Sequence, residues 1–469
     1  MLLTVIVRNF DLVIIGTGSG NSILDPRFRD WNVAVVEKGK FGGTCLNVGC
    51  IPTKMFVHTA DVASTPAHSS RLGVDEHVDA VRWPDIRDRI FGRIDPIAEG
   101  GREYRLHHAD NKNVTVYDGV GRFTGPKTLL VTLADGTEET ITADKFVLAA
   151  GGRVTAPPVP GLADVGYHTS DTVMRLENLP KRLTILGSGF IAAEFAHVFS
   201  SLGVDVTVVA RSGALLRSED DDISLRFTEI AQGRWDVRLD RKTVRAERDG
   251  DTVRLHLEGP KGGEVLESDV LLVAVGRAPN SDVLDVTATG VTTAPSGHVL
   301  VNDYQETVVP GIYALGDMSS PYELKHVANH EARIVQHNLL HPDDRQRADH
   351  RFVPHAVFTS PQIASVGLTE RELLATGRRY VSATQNYSGI AYGWAMEDTT
   401  GFVKLLADPE TGQLLGAHII GPQAPTVIQP LIQAMSFGLS AHEMARGQYW
   451  IHPGMPEVVE NALLNLALD

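Results

Sequence analysis

The chain is poor in cysteine, lacks any long apolar run and carries no excess of positive charge. Two cysteines stand among 469 residues. They permit at most one internal disulfide, and a chain of this size builds its core without such a staple. No run of about 18 apolar residues occurs, so no transmembrane helix is expected. Lysine and arginine number 43 against 58 acidic residues, for a net charge of −15. A chain of that sign is a poor ligand for phosphate backbones, so neither nucleic acid nor an anionic membrane is an expected partner. No low-complexity tract is found. The apolar stretch Met1–Val7 runs through Arg8 into Asp11 without a basic leader or a small-residue cleavage site. It reads as a leading strand and not a signal peptide, and a cytoplasmic location is expected.

The length predicts roughly three domains of about 150 residues each. Leu12–Ile15 reads as a buried strand, followed at once by Gly16-Thr17-Gly18-Ser19-Gly20; a second strand, Val33–Val36, ends in Glu37. This is the strand, glycine turn, helix, strand, acid order of a dinucleotide-binding unit. The glycines permit a tight turn and close approach to a pyrophosphate, and Glu37 can accept from a ribose hydroxyl. The third glycine of the pattern is replaced by Asn21 and Pro26 soon follows, so the helix is expected to be short or packed differently. The layout returns at Leu183–Leu186, Gly187-Ser188-Gly189-Phe190-Ile191-Ala192 and Val206–Val209. Two such motifs in the right context outweigh the alternative of two ordinary glycine turns. The second acceptor strand ends Val209-Ala210-Arg211 with no acid, and Arg217 follows. Arginines there suit a 2′-phosphate and favour NADPH over NADH; the alternative is a pair of solvated surface charges.

Farther on, Leu271–Gly276 and Gly311–Leu315 read as strands, the second running into Gly316-Asp317. An Asp at the carboxyl end of a parallel strand can bond a polyol or ribose. After a polar linker, His341–Arg351, the strands Ala356–Thr359, Phe402–Ala407 and Gly416–Ile420 alternate with helices near Glu370–Thr376 and Thr426–Phe437, which predicts a separate α+β domain. His326 and His330, four apart on a helix, lack the acidic partner of a zinc-protease motif and are not read as metal ligands.

Both cysteines fall within Gly42-Gly43-Thr44-Cys45-Leu46-Asn47-Val48-Gly49-Cys50-Ile51-Pro52-Thr53-Lys54. A close pair suggests redox chemistry or metal binding, and zinc would need a third Cys or clustered His. Residues five apart in a regular helix have Cα atoms roughly 8–9 Å apart. A disulfide needs about 4.4–6.8 Å. A bridge here would require a distorted helix start, which Gly49 and Pro52 permit. A helix N-terminus and a nearby lysine would lower a thiol pKa.

This motif, the two glycine turns and a C-terminal His452-Pro453…Glu457 together resemble the flavin-dependent pyridine nucleotide–disulfide oxidoreductases, the group of glutathione reductase and lipoamide dehydrogenase. The resemblance covers almost the whole chain. It implies an α/β fold with two dinucleotide-binding, Rossmann-like domains and a C-terminal α+β dimerisation domain. The boundaries expected are 1–151 with 276–347 for FAD, 152–275 for NADPH and 348–469 for the homodimer interface. Gly16, Gly18, Glu37, Gly43, Thr44, Lys54, Gly121 and Asp317 would hold FAD. Gly187, Gly189, Phe190, Ala192, Glu194, Arg211, Arg217 and Gly276 would hold NADPH.

The resemblance makes Phe190 a gate on the nicotinamide side, against plain helix packing. It pairs Lys54 with Glu194 near the flavin, against a surface helix charge for the latter. It makes Cys45–Cys50 a redox-active disulfide, with Cys50 facing the flavin and Cys45 attacking a small-molecule disulfide substrate. His452, oriented by Glu457, would be the acid that protonates the departing thiolate, reaching the site of the other subunit. A lipoamide dehydrogenase-like enzyme using NAD is the alternative within the family, disfavoured by the missing acid near Arg211. A non-catalytic flavoprotein redox sensor is the alternative outside enzymes, disfavoured by the complete Cys45, Cys50, His452, Glu457 set. A mercuric or thioredoxin-type relative would carry further C-terminal cysteines, and none is present.

Overall fold

The computed structural model describes residues 7–469. The reading of Met1–Val7 as a strand falls, save for Val7, outside the described residues; the first strand, β1, is Arg8–Ile15. Its inward positions are fully buried aliphatics, as expected of a strand covered on both faces. β1 pairs in parallel with β2 (Val33–Glu37) on one side and with β5 (Glu138–Leu148) on the other. β2 pairs in turn with β3 (Val114–Gly125). The outer half of β3, β4 (Thr128–Leu133) and the start of β5 form an antiparallel meander. The sheet is completed from far along the chain: Ile312–Ala314 pairs in parallel with β5.

A second parallel sheet lies in the intervening chain, in the order Val270–Val273, Arg182–Leu186, Asp205–Val209, Asp236–Arg238. It carries its own antiparallel meander, Lys242–Ser268. The short pair Gly152–Val154 and Arg277–Pro279 marks where the chain leaves and re-enters the first unit. The third sheet is five-stranded and antiparallel, with order His355–Val357, Ile363–Gly367, Leu414–Ile420, Phe402–Ala407, Val381–Asn386. These are two Rossmann-like α/β units and an α+β unit, the fold class expected.

Several boundaries differ from the sequence reading. The strand expected over Leu271–Gly276 stops at Val273, because the chain turns there to let Gly187 approach the Ala274 carbonyl. The single helix expected over Thr426–Phe437 is two, Ala424–Val427 and Gln429–Phe437; Pro430, lacking an N–H, opens the second instead of continuing the first. After the first glycine turn there is no α-helix, only the 3₁₀ turns Gly20–Ile23 and Pro26–Phe28. Asn21 is tied there to Arg105 by its side chain (2.8 Å) and its carbonyl (2.7 Å). The close packing assigned to a third glycine falls to Gly20, where a Cβ would lie 2.8 Å from that of Ala149.

Two long helices join the units. Cys50–Ser64 and Trp83–His107 pack on Phe190–Ser201 of the second unit through Phe56, Trp83 and Phe199, with ring centroids 5.2 and 5.8 Å apart. Each such buried aromatic contributes roughly 1.5–3 kcal/mol. This packing fixes the helix that bears the second cysteine against the second glycine turn.

Candidate active site

The segment between β2 and Ser64 is two helices and not one. Gly42 and Gly43, both left-handed (φ +98° and +65°), open α1, Gly43–Asn47. Asn47 closes it by donating to the carbonyls of Phe41 (2.9 Å) and Gly43 (3.0 Å). The chain then doubles back at Gly49, where a Cβ would stand 2.9 Å from the Thr44 carbonyl, and α2 starts at Cys50. The expected distortion is therefore a full break. It brings Cys50 back toward Cys45, and the two free thiols act on each other's ionisation.

The pair ionises unequally. The neighbouring Cys45 thiol favours the Cys50 thiolate and brings Cys50 down to about 7 against the opposing effect of burial; its own backbone N–H and the charge of Lys54 add to the lowering, and Glu194 opposes it. Cys45 is pushed well above its ordinary value by the neighbouring Cys50 and by burial. Cys50 is the more exposed of the two.

One turn beyond Cys50, the Lys54 ammonium lies 2.8 Å from Glu194 of the second unit. Glu194 is 6% exposed, so it is not a surface helix charge. Its Oε1 also accepts from the Phe358 N–H at 2.9 Å, and Lys54 stands 3.8 Å over the Phe358 ring. Three distant pieces of chain thus meet beneath Cys50. The Glu194 carboxylate engages the Lys54 ammonium from one side, and its remaining protons have no other hydrogen-bond acceptor among the described residues.

The structure adds a second lysine that the sequence reading passed over. Lys325, first residue of the helix Lys325–Leu340, donates to Ser19 Oγ at 2.9 Å, and Ser19 donates to Asn329 at 2.9 Å. Gly18 and Gly43 are so close that a Cβ on Gly43 would lie 2.7 Å from the Gly18 Cα. The first glycine turn, Lys325 and the Cys45 segment are therefore one cluster, and the Lys325 charge lowers the Cys45 thiol, although the effect of Cys50 outweighs it.

The remaining expected nucleotide residues are placed as follows. Gly16 has φ +102° and a Cβ there would meet the Ala149 carbonyl at 2.3 Å, a position only glycine fills. Glu37 accepts from Thr17 N (2.8 Å), Thr17 Oγ1 (2.7 Å) and Gly39 N (2.8 Å), which fixes its carboxylate at the end of β2. Thr44 lies within α1. Asp317 lies in the 3₁₀ turn Gly316–Met318 after Ile312–Ala314, and burial holds its carboxyl above the usual range. Gly121 is buried in β3, where a Cβ would lie 3.1 Å from Leu129.

In the second unit Gly187 (φ +146°) repeats the Gly16 contact, against the Ala274 carbonyl at 2.2 Å. Gly189 caps the helix Phe190–Ser201, in which Ala192 is buried and Phe190 is 46% exposed at the first position. Arg211 and Arg217 are exposed. Gly276 has φ +139° beside Thr155.

His452 Nδ1 and Glu457 Oε1 are 2.6 Å apart. Glu457 is the first residue of the helix Glu457–Leu464, and its other oxygen accepts from Gly454 N at 3.1 Å. The bond from His452 holds this carboxyl below its ordinary value. Among the described residues the His452 pair and the sulfur pair share no hydrogen bond. His452 lies on an outer face with Tyr449 and Ile451, both largely bare in one chain. His326 and His330 are engaged with the main chain of Pro354 and Asp349.

The family described as "Pyridine nucleotide-disulphide oxidoreductase" matches residues 10–332, and its dimerisation domain matches residues 353–463. Mycothione reductase of Mycobacterium tuberculosis is 56% identical over 98% of this chain and 100% of its own length. Mercuric reductase of Streptomyces lividans is 34% identical over 93% and 92%, and dihydrolipoyl dehydrogenase of Corynebacterium glutamicum 32% over 97% of each. Among solved structures, an HOCl-induced flavoprotein disulfide reductase of Escherichia coli superposes with a TM-score of 0.83 at 28% identity, covering 97% of this chain and 99% of that one. No helix among the described residues is long and apolar enough to cross a membrane.

Proposed function

The chain belongs to the pyridine nucleotide–disulphide oxidoreductases, and from that premise we propose that it reduces mycothione to mycothiol with electrons from NADPH. The substrate is suggested by the full-length 56% identity to a mycothione reductase. The cofactor choice is suggested by Arg211 and Arg217 where an NAD unit has an acid. Residues 1–151 with 276–347 hold FAD, 152–275 hold NADPH, and 348–469 form the dimer. The observation that carries the chemistry is the meeting at Cys50 of Cys45, Lys54 and Glu194.

The residues present fit a flavin. The glycine turn at Gly16 and Gly18 leaves room for a phosphate, Gly18 stands against Gly43 of the sulfur segment, and the buried Lys54 ammonium, 2.8 Å from Glu194, lies one turn beyond Cys50. FAD bound there would supply the two-electron connection between the nicotinamide and the Cys45–Cys50 bond. Lys54, held by Glu194, would donate to it, and Asp317 and Glu37 would fix its sugar and ribose ends.

The protein's own residues account for the rest. With both cysteines reduced, Cys50 is the thiolate and Cys45 the thiol. His452 of a second copy takes the Cys45 proton, and the Cys45 sulfur attacks the substrate disulfide. One S–S bond breaks, a mixed disulfide forms, and the departing thiolate recovers the proton from His452. Glu457 orients and stabilises the imidazolium in between. Cys50 then attacks the Cys45 sulfur, closes the Cys45–Cys50 bond and expels the second product as a thiolate, which takes the one proton drawn from solution. The overall change is one disulfide, one NADPH and one proton to two thiols and NADP⁺.

Turnover of mycothione, glutathione disulfide and lipoamide, each under NADPH and NADH, tests this reading. Mycothione with NADPH is expected to give the highest kcat/KM. A glutathione disulfide rate higher by an order of magnitude would overturn the substrate and leave the disulfide reductase.

A further inference from the structure

A dense group of buried charges lies away from the sulfurs, where the third domain meets the second. Lys404, in the strand Phe402–Ala407, has a side chain 4% exposed, and its ammonium is 2.8 Å from Asp220, 2.6 Å from Asp222 and 2.7 Å from Glu370. Asp220 is fully buried, and its second oxygen accepts from the Glu370 N–H at 2.9 Å. The neighbouring Glu219, 3% exposed, is bonded by His355 (2.8 Å) and Ser365 (2.9 Å). Arg371 pairs with Asp221 and donates to the main-chain carbonyl of Arg217 at 3.2 Å. Four consecutive acids, Glu219 to Asp222, are thus gripped by the third domain.

Burying so much charge is a poor way to gain stability, since apolar packing of the same volume usually does as well. What such a network supplies is a fixed geometry. The fixed element is the loop between the second unit's acceptor strand and the helix Asp221–Gln232, which carries Arg211 and Arg217. Its other side is pinned to the glycine turn, because Leu216 N donates to the Ser188 carbonyl at 2.8 Å. The arginines therefore stand on a strap tied at one end to the nucleotide turn and at the other to a different domain.

We propose that Lys404 and Arg371 are positioning residues for the pyridine nucleotide, holding the Arg217 main chain so that its guanidinium meets a 2′-phosphate. Preference for the phosphorylated dinucleotide is then set partly by the third domain, 184 positions along the chain from the acid it grips. The inference rests on the NADPH reading above.

The test is steady-state kinetics of the FAD-loaded full-length enzyme with NADPH and with NADH, together with titration by 2′-phosphoadenosine nucleotide and thermal unfolding. Lys404→Met is expected to raise KM for NADPH about tenfold and Arg371→Ala about threefold, with KM for NADH and kcat at saturation held within about twofold. Equal changes for both nucleotides, or a lowered Tm with an unchanged NADPH/NADH ratio, would overturn it. Where Lys404→Met fails to fold, Arg371→Ala decides, since that side chain is 48% exposed. Arg217→Ala separates the two levels. If it leaves the ratio untouched, the phosphate reading falls and this inference with it. If it collapses the ratio while the other two variants do not, only the inference falls.

Discussion

The two glycine turns are built alike and serve different ends. In both, a left-handed glycine at the end of a central strand sits against the carbonyl that follows a neighbouring strand, Ala149 for Gly16 and Ala274 for Gly187. Beyond that point they part. The second unit continues into a twelve-residue helix whose middle, Ala192 to Phe199, is wholly buried. The first has two short 3₁₀ turns, Gly20–Ile23, held by Arg105, and Pro26–Phe28. At the end of the next strand the first unit has a carboxylate locked by three hydrogen bonds, and the second has an exposed arginine. The turn geometry is therefore indifferent to the helix that follows, and the two units differ in charge at the strand end, which is where the proposed choice of dinucleotide would be made.

One substitution made in both units breaks this comparison most sharply. A Cβ at Gly16 or Gly187 meets a carbonyl oxygen at 2.3 or 2.2 Å in a backbone conformation that L-residues rarely adopt, at a cost of about 3 kcal/mol or more. Gly16→Ala is expected to yield protein without the yellow prosthetic group. Gly187→Ala is expected to keep that colour and lose its bleaching by NADPH, while dithionite still bleaches it. Identical phenotypes would mean that the turns do not serve separate nucleotides.

The strand ends give the next largest effect. Glu37→Gln weakens charge-assisted bonds to Thr17 and Gly39 and is expected to loosen FAD by roughly 1.5–3 kcal/mol, about tenfold to a hundredfold, read by release of flavin fluorescence on dialysis. In the other unit Arg211→Ala is expected to raise KM for NADPH about tenfold and to leave that for NADH unchanged.

Much of this was legible because it is local. The helix Glu370–Thr376 follows Thr369, which forms a capping box with Glu372, and the helix at Glu457 starts after Pro456. The strand Phe402–Ala407 is an unbroken apolar run but for Lys404. That one lysine reads as an anomaly, yet two of its three partners are more than 180 positions away in sequence, the third is Glu370, and no local pattern names them. Lys325 is a fainter anomaly, a cation on the first turn of a helix, where the dipole disfavours it. Phe358 gave no signal at all, because its role depends on its main-chain N–H reaching Glu194. What the sequence could not supply was which distant side chain fills the space over a local motif.

The finest test concerns the point where the two units touch, since Lys54 comes from one and Glu194 from the other. Their charges act on Cys50 with opposite signs, Lys54 lowering its pKa and Glu194 raising it. In the reduced protein, alkylation of Cys50 by iodoacetamide follows the thiolate, so its rate should fall as pH drops through about 7. Lys54→Met removes the stabilising cation and leaves Glu194 unopposed, and the midpoint should move up by about one unit. Glu194→Gln leaves the ammonium alone, and the midpoint should move down by a smaller amount. Opposite displacements would show that each unit tunes the sulfur by charge. Displacements in one direction would mean that the pair acts on Cys50 through packing and burial, and the division of labour between the two units would then stop short of the thiolate.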